Sequence, residues 1–528
     1  MLKEWEKSEK PSEEEIKARL EAVKEKLARQ QLLIKEKKVP VLVVLEGWGT
    51  AGKGYAIGQI IQNIDPRFFK VFDMEKTKKS LFGPMDLTKG TCWKTILIFS
   101  LPVILSYLLQ QVYSISDAAI VGQTLTAQEV AGVNDTTSLV FIFLQFAFGV
   151  SAGFCVITSC NVGAHNPAGV RRSLTTQIVL SGVLTVVLTA LALVLLDPML
   201  AWINVTPDSP EVYRAAYTYC AIIFAGIGAQ LFYNFICSFL RSMGDSVTPL
   251  AFLLFSTLLN VGLDLLFIVV FRWGVAGAAL ATGISQCIGG LLPLILFLGK
   301  NDSLLHLVPT RLEWRPFFLS CTNGMSELMG NISSSIVSML YNFQLLNYAG
   351  ENGIAAYGVL MYVQFIFIAV FFGYTIGVGP VIGYHYGAGN HAELKNLLRK
   401  SLKLNIITGI SMTILANLFA GALSRIFVGY DPELYAMTKS AFHIFALSFL
   451  VCGINIFASA FFTALNNGLV SAVISFLRTL VFQVGSVLIL PAFLGLTGIW
   501  LSNTFADLMA MLISIIFLAA MRKRDHYA

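Results

Sequence analysis

Polar and apolar positions along the chain fall into two regimes. Residues 1 to 39 alternate Glu and Lys around Ile16, Leu20, Val23, Leu27 and Ile34, with Ser12 and Glu15 spaced as a capping box. That spacing predicts a soluble amphipathic helix. VPVLVVLEG, ending at Gly47, predicts a short buried strand, and YAIGQIIQNI predicts a second helix after it. Further on, apolar runs of about 18 or more residues, each long enough to cross a bilayer, recur between polar or glycine-rich breaks. They fall near residues 93 to 118, 130 to 158, 173 to 196, 211 to 238, 247 to 271, 274 to 298, 316 to 345, 354 to 383, 399 to 421, 434 to 464, 470 to 491 and 495 to 520. The pattern predicts an all-α polytopic membrane protein of about twelve transmembrane helices, preceded by a short soluble α/β fragment.

Composition agrees. The 528 residues are 56% hydrophobic and 13% charged, against about 25% charged in soluble domains, and the mean hydropathy is +0.71. The net charge of +6 does not point to nucleic acid, because the basic residues sit in short loops between apolar runs. Arg171, Arg172, Arg241, Lys300, Arg311, Arg315, Lys395, Arg399 and Arg478 fall to even-numbered loops, so both termini are expected in the cytoplasm of a bacterial-type cell, under its inner membrane. The eight cysteines lack metal-ligand or disulfide spacing and read as small core residues. The charged N-terminus lacks a signal-peptide apolar region, so the first span is expected to serve for targeting.

The membrane part repeats itself. GAHN (Gly163 to Asn166) followed by RRSL returns about 224 residues later as GAGN (Gly387 to Asn390) followed by RKSL. Six spans separate the copies, so the halves share one topology and are related by an axis along the membrane normal. The expected division is a fragment over 1–73, a first lobe over 74–298, a cytoplasmic linker over 299–315 and a second lobe over 316–528. A substrate cavity between the lobes follows from alternating access.

Candidate chemistry concentrates in the first lobe. Asn260 and Asp264, four apart, share a helix face inside an apolar run, and Thr282 returns to similar depth one span later. An aspartate at mid-bilayer depth costs about 2.5 to 3.5 kcal/mol on insertion scales, which marks it for function. Asp117, in YSISDAAIVG, supplies a second carboxylate. Two carboxylates, an amide carbonyl and a hydroxyl are hard oxygen ligands suited to Na+, and the same acids could carry H+. Through the repeat Asp117 faces Tyr341, while Asn260 and Asp264 face Phe482 and Ser486, so the acidic pocket is expected in the first lobe only. Glu327 and His443 are second-lobe candidates for coupling or substrate contact, each alternatively a hydrogen-bonded core residue. Tyr113, Phe143, Phe146, Tyr341, Phe365 and Tyr374 are candidate walls for planar cations.

Two resemblances carry further expectations. GWGTAGKG, with Gly47, Gly52, Lys53 and Gly54 placed as a phosphate-binding loop, together with LEGW and IDPRFF, resembles the N-terminal end of the polyphosphate kinase 2 family over about residues 13 to 73. Gly49 stands where that family usually has an acidic residue. The membrane spans begin before a Walker B strand or lid could follow, so a truncated fragment without enzyme activity is expected, with the junction at Asp73 to Met74. Residues 74 to 528 resemble the MATE (multidrug and toxin extrusion) family through SDAAIVG, FLRSMGDSVTP and the paired GAHN and GAGN loops. That resemblance implies a monomeric antiporter exporting small organic, cationic or amphipathic substrates through the bilayer, driven by Na+ or H+, with no other cofactor. It also implies a cation site of Asp117, Asn260, Asp264 and Thr282, with Pro102 as a conformational switch and Glu327 as a second-lobe acid. The rival readings are a lipid-linked flippase, which needs a more basic cavity, and a membrane-tethered phosphotransferase using Lys53.

Overall fold

The computed structural model describes residues 87, 92–203, 205–298, 314–525 and 527, and within the N-terminal stretch residues 14, 19, 21–26, 29 and 36. The chain divides into two units, Met1–Ser80 and Leu81–Ala528. In the first unit the described positions are helical, and Val23, a member of the expected apolar stripe, is exposed. The expected strand, the loop with Gly47, Gly52, Lys53 and Gly54, and most of the expected linker lie outside the described residues.

The second unit is a helical bundle of twelve crossings, with no strand among the described residues. The first lobe holds α1 (Cys92–Thr124), α2 (Ala127–Gly163), α3 (Pro167–Val194), α4 (Pro210–Ala225 and Ile227–Ser242, bent by 44° at Gly226), α5 (Val247–Val270) and α6 (Gly274–Leu298). The second lobe holds α7 (314–349) and α8 (351–387), joined at Gly350 with φ 62°, then α9 (His391–Val428) and α10 (Pro432–Ala464). Its last two crossings, α11 (468–494) and α12 (496–520), meet at Gly495 with φ 58°. The helices overrun the expected spans at several ends, as α1 and α8 do.

The repeated GAHN and GAGN loops are helix punctuation. Their third residues, His165 at φ 51° and Gly389 at φ 67°, adopt the left-handed turn that ends a helix. Their fourth residues cap the next one: Gly169 N–H donates to Asn166 Oδ1 at 3.0 Å and Glu393 N–H to Asn390 Oδ1 at 3.1 Å. The symmetry persists at an offset of 222. Gly244 (φ 90°) and Asn466 (φ 60°) turn the chain after α4 and α10, where Asp245 N–H and Asn467 N–H reach back to Leu240 O and Phe462 O, both at 2.9 Å. Asp245 caps α5 through Val247 N–H, Thr248 N–H and the Thr248 hydroxyl.

Within each lobe the packing is that of a bilayer protein. On α9 the inward ladder is Ser401, Asn405, Gly409 and Thr413, while Ile406, Ile407, Ile410 and Ile414 face outward. Small and polar residues pack helix on helix and aliphatic ones meet lipid.

The lobes meet through glycine. A Cβ on Gly163 of α2 would collide with the Tyr384 carbonyl of α8, and one on Gly387 with the Cys160 carbonyl of α2. Tyr384 lies 224 residues beyond Cys160, so the two contacts are the same contact seen from either side of the pseudo-two-fold axis. Further along, a Cβ on Gly383 would meet Ser159 Cβ at 2.8 Å, one on Gly377 would meet Ser100 Cα at 2.7 Å, and one on Gly373 would meet Ile104 Cα at 2.6 Å. All these approaches lie in the halves of α1, α2 and α8 nearest the GAHN and GAGN loops. At the same end Tyr527 folds back, donates to Leu518 O at 2.9 Å and sits edge-on to Phe461.

Candidate cation site

α5 presents its inward face as a ladder at intervals of four, Phe252, Ser256, Asn260 and Asp264, all buried, against an outward face of Leu254, Phe255, Leu258 and Leu265. The spacing that suggested a shared face therefore does produce one. Asn260 and Asp264 are both 0% exposed. Directly after Asp264 the helix widens into a π segment, Leu265–Val270, in which Phe271 N–H reaches back five residues to Leu266 O at 2.9 Å. Such segments carry one extra residue and recur at functional sites.

Asp117 of α1 comes alongside Asp264, close enough for the two acids to act on one another. Thr282 of α6 closes the group. Asn260 Nδ2 donates to Thr282 Oγ1 at 3.5 Å, and the Tyr113 hydroxyl lies 3.4 Å from the same oxygen. The four residues expected to gather from three spans do gather. Tyr113, expected as a wall for substrate, belongs to this cluster, and Tyr219 of α4 stands near enough to feel both acids. Asp117 Oδ1, Asn260 Oδ1 and both Asp264 oxygens are buried without a hydrogen-bond donor. Acceptors gathered in this way match a small cation or a proton. A cluster of three or more His, Cys, Asp or Glu is absent among the described residues, so the donor set does not resemble a transition-metal site.

Pro102 lies in α1 between Ser100 and Ile104, the residues packed on Gly377 and Gly373 of α8. Its carbonyl accepts from Ser106 Oγ at 2.9 Å. One helix therefore carries Asp117 toward one end and, around a proline, a principal contact with the other lobe toward the opposite end.

The second-lobe expectations fare differently. His443 is exposed on the outer face of α10, and its Nδ1 lies 2.6 Å from Asn417 Oδ1 of α9. Glu327 stands in α7, with its side chain outside the described residues, as is that of Phe146. Tyr341 and Tyr374 are buried within the lobe, the first stacked on Tyr357 with centroids 4.9 Å apart, the second donating to Ser401 Oγ at 2.8 Å. Phe143 packs on Phe224 in the first-lobe core. Phe365 is exposed.

The repeat register also needs correcting. A π segment in α11, Leu477–Phe482, precedes the matching positions and its extra residue shifts them by one. Gln483, not Phe482, plays the part of Asn260: its Nε2 donates to Asn503 Oδ1 of α12 at 2.7 Å, as Asn260 donates to Thr282. Asp264 is then matched by the fully buried Val487 and not by Ser486. Nor is the second lobe free of buried acid. Asp507 of α12 is 8% exposed, with Asn455 Nδ2 of α10 donating to its carbonyl at 2.8 Å and to Oδ1 at 3.3 Å. Arg478, expected in a loop, is inside the π segment and bears on Asp507. An acid within the apolar run TFADLMAML is the same signal that marked Asp264, and it would have found Asp507.

Comparison with known proteins agrees with this architecture. The MatE family model matches residues 102–266 and 328–489, one stretch in each lobe. The polyphosphate kinase 2 (PPK2) model matches residues 10–80. The chain is 26% identical over 421 residues to the "Probable multidrug resistance protein YpnP" of Bacillus subtilis, covering 79% of this chain and 91% of the relative. It is 23% identical to the multidrug export protein MepA of Staphylococcus haemolyticus, covering 83% and 95%. A solved structure described as an outward-facing conformation of a multidrug resistance MATE family transporter shares the fold at TM-score 0.77, with 23% identity and coverage of 83% and 98%.

Proposed function

The chain belongs to the MatE family, and from that membership we propose that it is a multidrug efflux transporter, exporting small organic, cationic or amphipathic substrates in exchange for Na+ or H+. The observation that carries the coupling is the cluster of Asp117, Asn260, Asp264 and Thr282, with its four donorless oxygens. Among the described residues, the side chains beside the two acids, Tyr113, Tyr219, Asn260 and Thr282, are uncharged. Two like charges about 4 Å apart repel by about 4 kcal/mol at an effective dielectric of about 20. A cation or proton between them turns that repulsion into attraction, so occupancy decides how closely α1 and α5 approach.

Coupling requires that the ion prefer one conformation. The glycine crossing near the GAHN and GAGN loops supports a state closed at that end, which the basic loops assign to the cytoplasm, and hence open to the outside. Ion uptake from outside draws Asp117 toward Asp264 and alters α1 at Pro102, where the missing N–H leaves a helix that bends readily. The bend changes the packing of Ser100 and Ile104 on α8, and substrate affinity changes with it. The protein acts as a monomer, multi-pass in the inner membrane with both termini cytoplasmic. The phosphate-loop match is confined to residues 10–80, and the transporter reading assigns it no enzymatic role.

Efflux of a fluorescent organic cation from vesicles, under separately imposed Na+ and pH gradients, tests this reading. Acceleration by one gradient is expected, and identical efflux with and without both would refute it.

A further inference from the structure

α9 carries a charged stripe that the transport cycle described above does not use. Lys395, Arg399 and Lys403 are all exposed, and at intervals of four they rise along one side of the helix over about 12 Å. The apolar run begins directly after them, and Ile410 and Ile414, about two and three turns beyond Lys403, continue the same side into lipid. None of the three cations has an ion pair or a hydrogen bond among the described residues. Two acids at this end are engaged elsewhere: Asn396 Nδ2 donates to both oxygens of Glu393, at 3.1 and 3.2 Å, and Asn467 Nδ2 donates to Asp525 Oδ2 at 3.0 Å. The first lobe shows what the packing alone requires. Counted from the capping asparagines Asn166 and Asn390, α3 has Arg171, Thr175 and Val179 at the stations of Lys395, Arg399 and Lys403. Val179 is 49% exposed, so the station that is a lysine on α9 accepts an aliphatic side chain facing lipid on α3. The fold therefore does not demand three cations there. Neither does the charge bias of the loops, which both lobes already carry.

We propose that Lys395, Arg399 and Lys403 form a binding site for the phosphate headgroup of an anionic phospholipid, in the leaflet on the GAGN side. Helical side chains lean toward the N-terminus of their helix, and the N-terminus of α9 lies at that surface. Arg399 and Lys403 therefore lay their aliphatic stems along the acyl chains and carry their charges back to the headgroup layer. The guanidinium is shaped to take two phosphate oxygens at once, and the two lysines add charge above and below it. The isoleucines beyond Lys403 offer the acyl chains an aliphatic bed. The proposal does not rest on the cation reading of Asp117 and Asp264.

The test compares two charge-matched triple variants of the full-length purified protein, K395Q/R399Q/K403Q and R522Q/K523Q/R524Q, the second removing three exposed cations of the C-terminal tail at the same end. Delipidated protein is titrated with dioleoylphosphatidylglycerol or dioleoylphosphatidylcholine. Bound lipid is counted by native mass spectrometry, and thermal unfolding is followed in parallel. A cation beside an anionic surface raises association about fivefold, so the α9 triple variant should bind phosphatidylglycerol about a hundredfold more weakly than the parent, with phosphatidylcholine binding unchanged. Phosphatidylglycerol should raise the Tm of the parent and of the tail variant by several degrees, and that of the α9 variant hardly at all. K395R/R399K/K403R, which keeps the charges, should follow the parent and shows that the positions tolerate substitution. Inorganic phosphate should leave Tm unchanged, and a gain equal to that from phosphatidylglycerol would overturn the lipid assignment in favour of a free anion. Equal losses in the two triple variants, or undiminished phosphatidylglycerol binding in the α9 variant, would overturn the proposal.

Discussion

The two lobes place the same backbone around different electrostatics. In the first, α1, α5 and α6 bring Asp117, Asn260, Asp264 and Thr282 together, with no basic partner among the described residues. In the second, Tyr341, Gln483, Val487 and Asn503 occupy those stations, and the buried acid has moved to Asp507, where Asn455 Nδ2 donates to it. The Asn260–Thr282 hydrogen bond survives as Gln483–Asn503. The polar tie between the helices is thus structural and common to both lobes, while the unbalanced charge is specific to one. A scaffold doubled by repetition can keep its packing in both copies and hold its chemistry in one.

The largest test of that contrast is Asp264→Asn. It removes the unbalanced charge without changing the shape of the site, so gradient-driven efflux should fall by about a hundredfold, the upper range of a coupling free energy, with membrane insertion unchanged on a fluorescence size-exclusion profile. Next come Gly163→Ala and Gly387→Ala. Each puts a methyl group against the other lobe's backbone, and overpacking of that kind costs about 1 to 3 kcal/mol. Both should shift the protein toward the state open at that end, read as faster labelling of Cys160 by a thiol reagent. Because the contact is reciprocal the two effects should match, and a large response at one site only would break the symmetry.

A smaller pair of substitutions separates tie from charge. Asn260→Ala and Gln483→Ala should each cost about 1 kcal/mol in stability, the worth of one hydrogen bond, but only Asn260→Ala should weaken protection by Na+ or protons against thermal unfolding. The smallest effect expected is at Gly262, between the two site residues of α5, where a Cβ would meet nothing within 4 Å. Gly262→Ala should leave ion-dependent stability as it was.

Much of this was legible in the sequence, for definable reasons. Long apolar runs, the paired GAHN and GAGN loops and an aspartate in an apolar span are local patterns with strong physical causes, and they located the helices, the repeat and the polar cluster of the first lobe. The π segments were not legible, because one residue inserted into an apolar helix leaves the hydrophobic pattern intact while rotating everything beyond it. That is why Gln483 was passed over for Phe482. The outward direction of His443 was not legible for a related reason: depth in the membrane follows from position along a helix, whereas the direction a side chain faces depends on neighbours from other helices. Asp507 needed only the rule applied to Asp264 to be used again near the end of the chain.

The reciprocal crossing of α2 and α8 bears on leak. Gly163 against Tyr384 and Gly387 against Cys160 are images of one another, so a rotation of one lobe relative to the other releases both together. A seal made of two linked halves is expected to open as one. A membrane that maintains an ion gradient depends on that property, because a pore ajar at one end while the other remains open would discharge the gradient without moving any cargo.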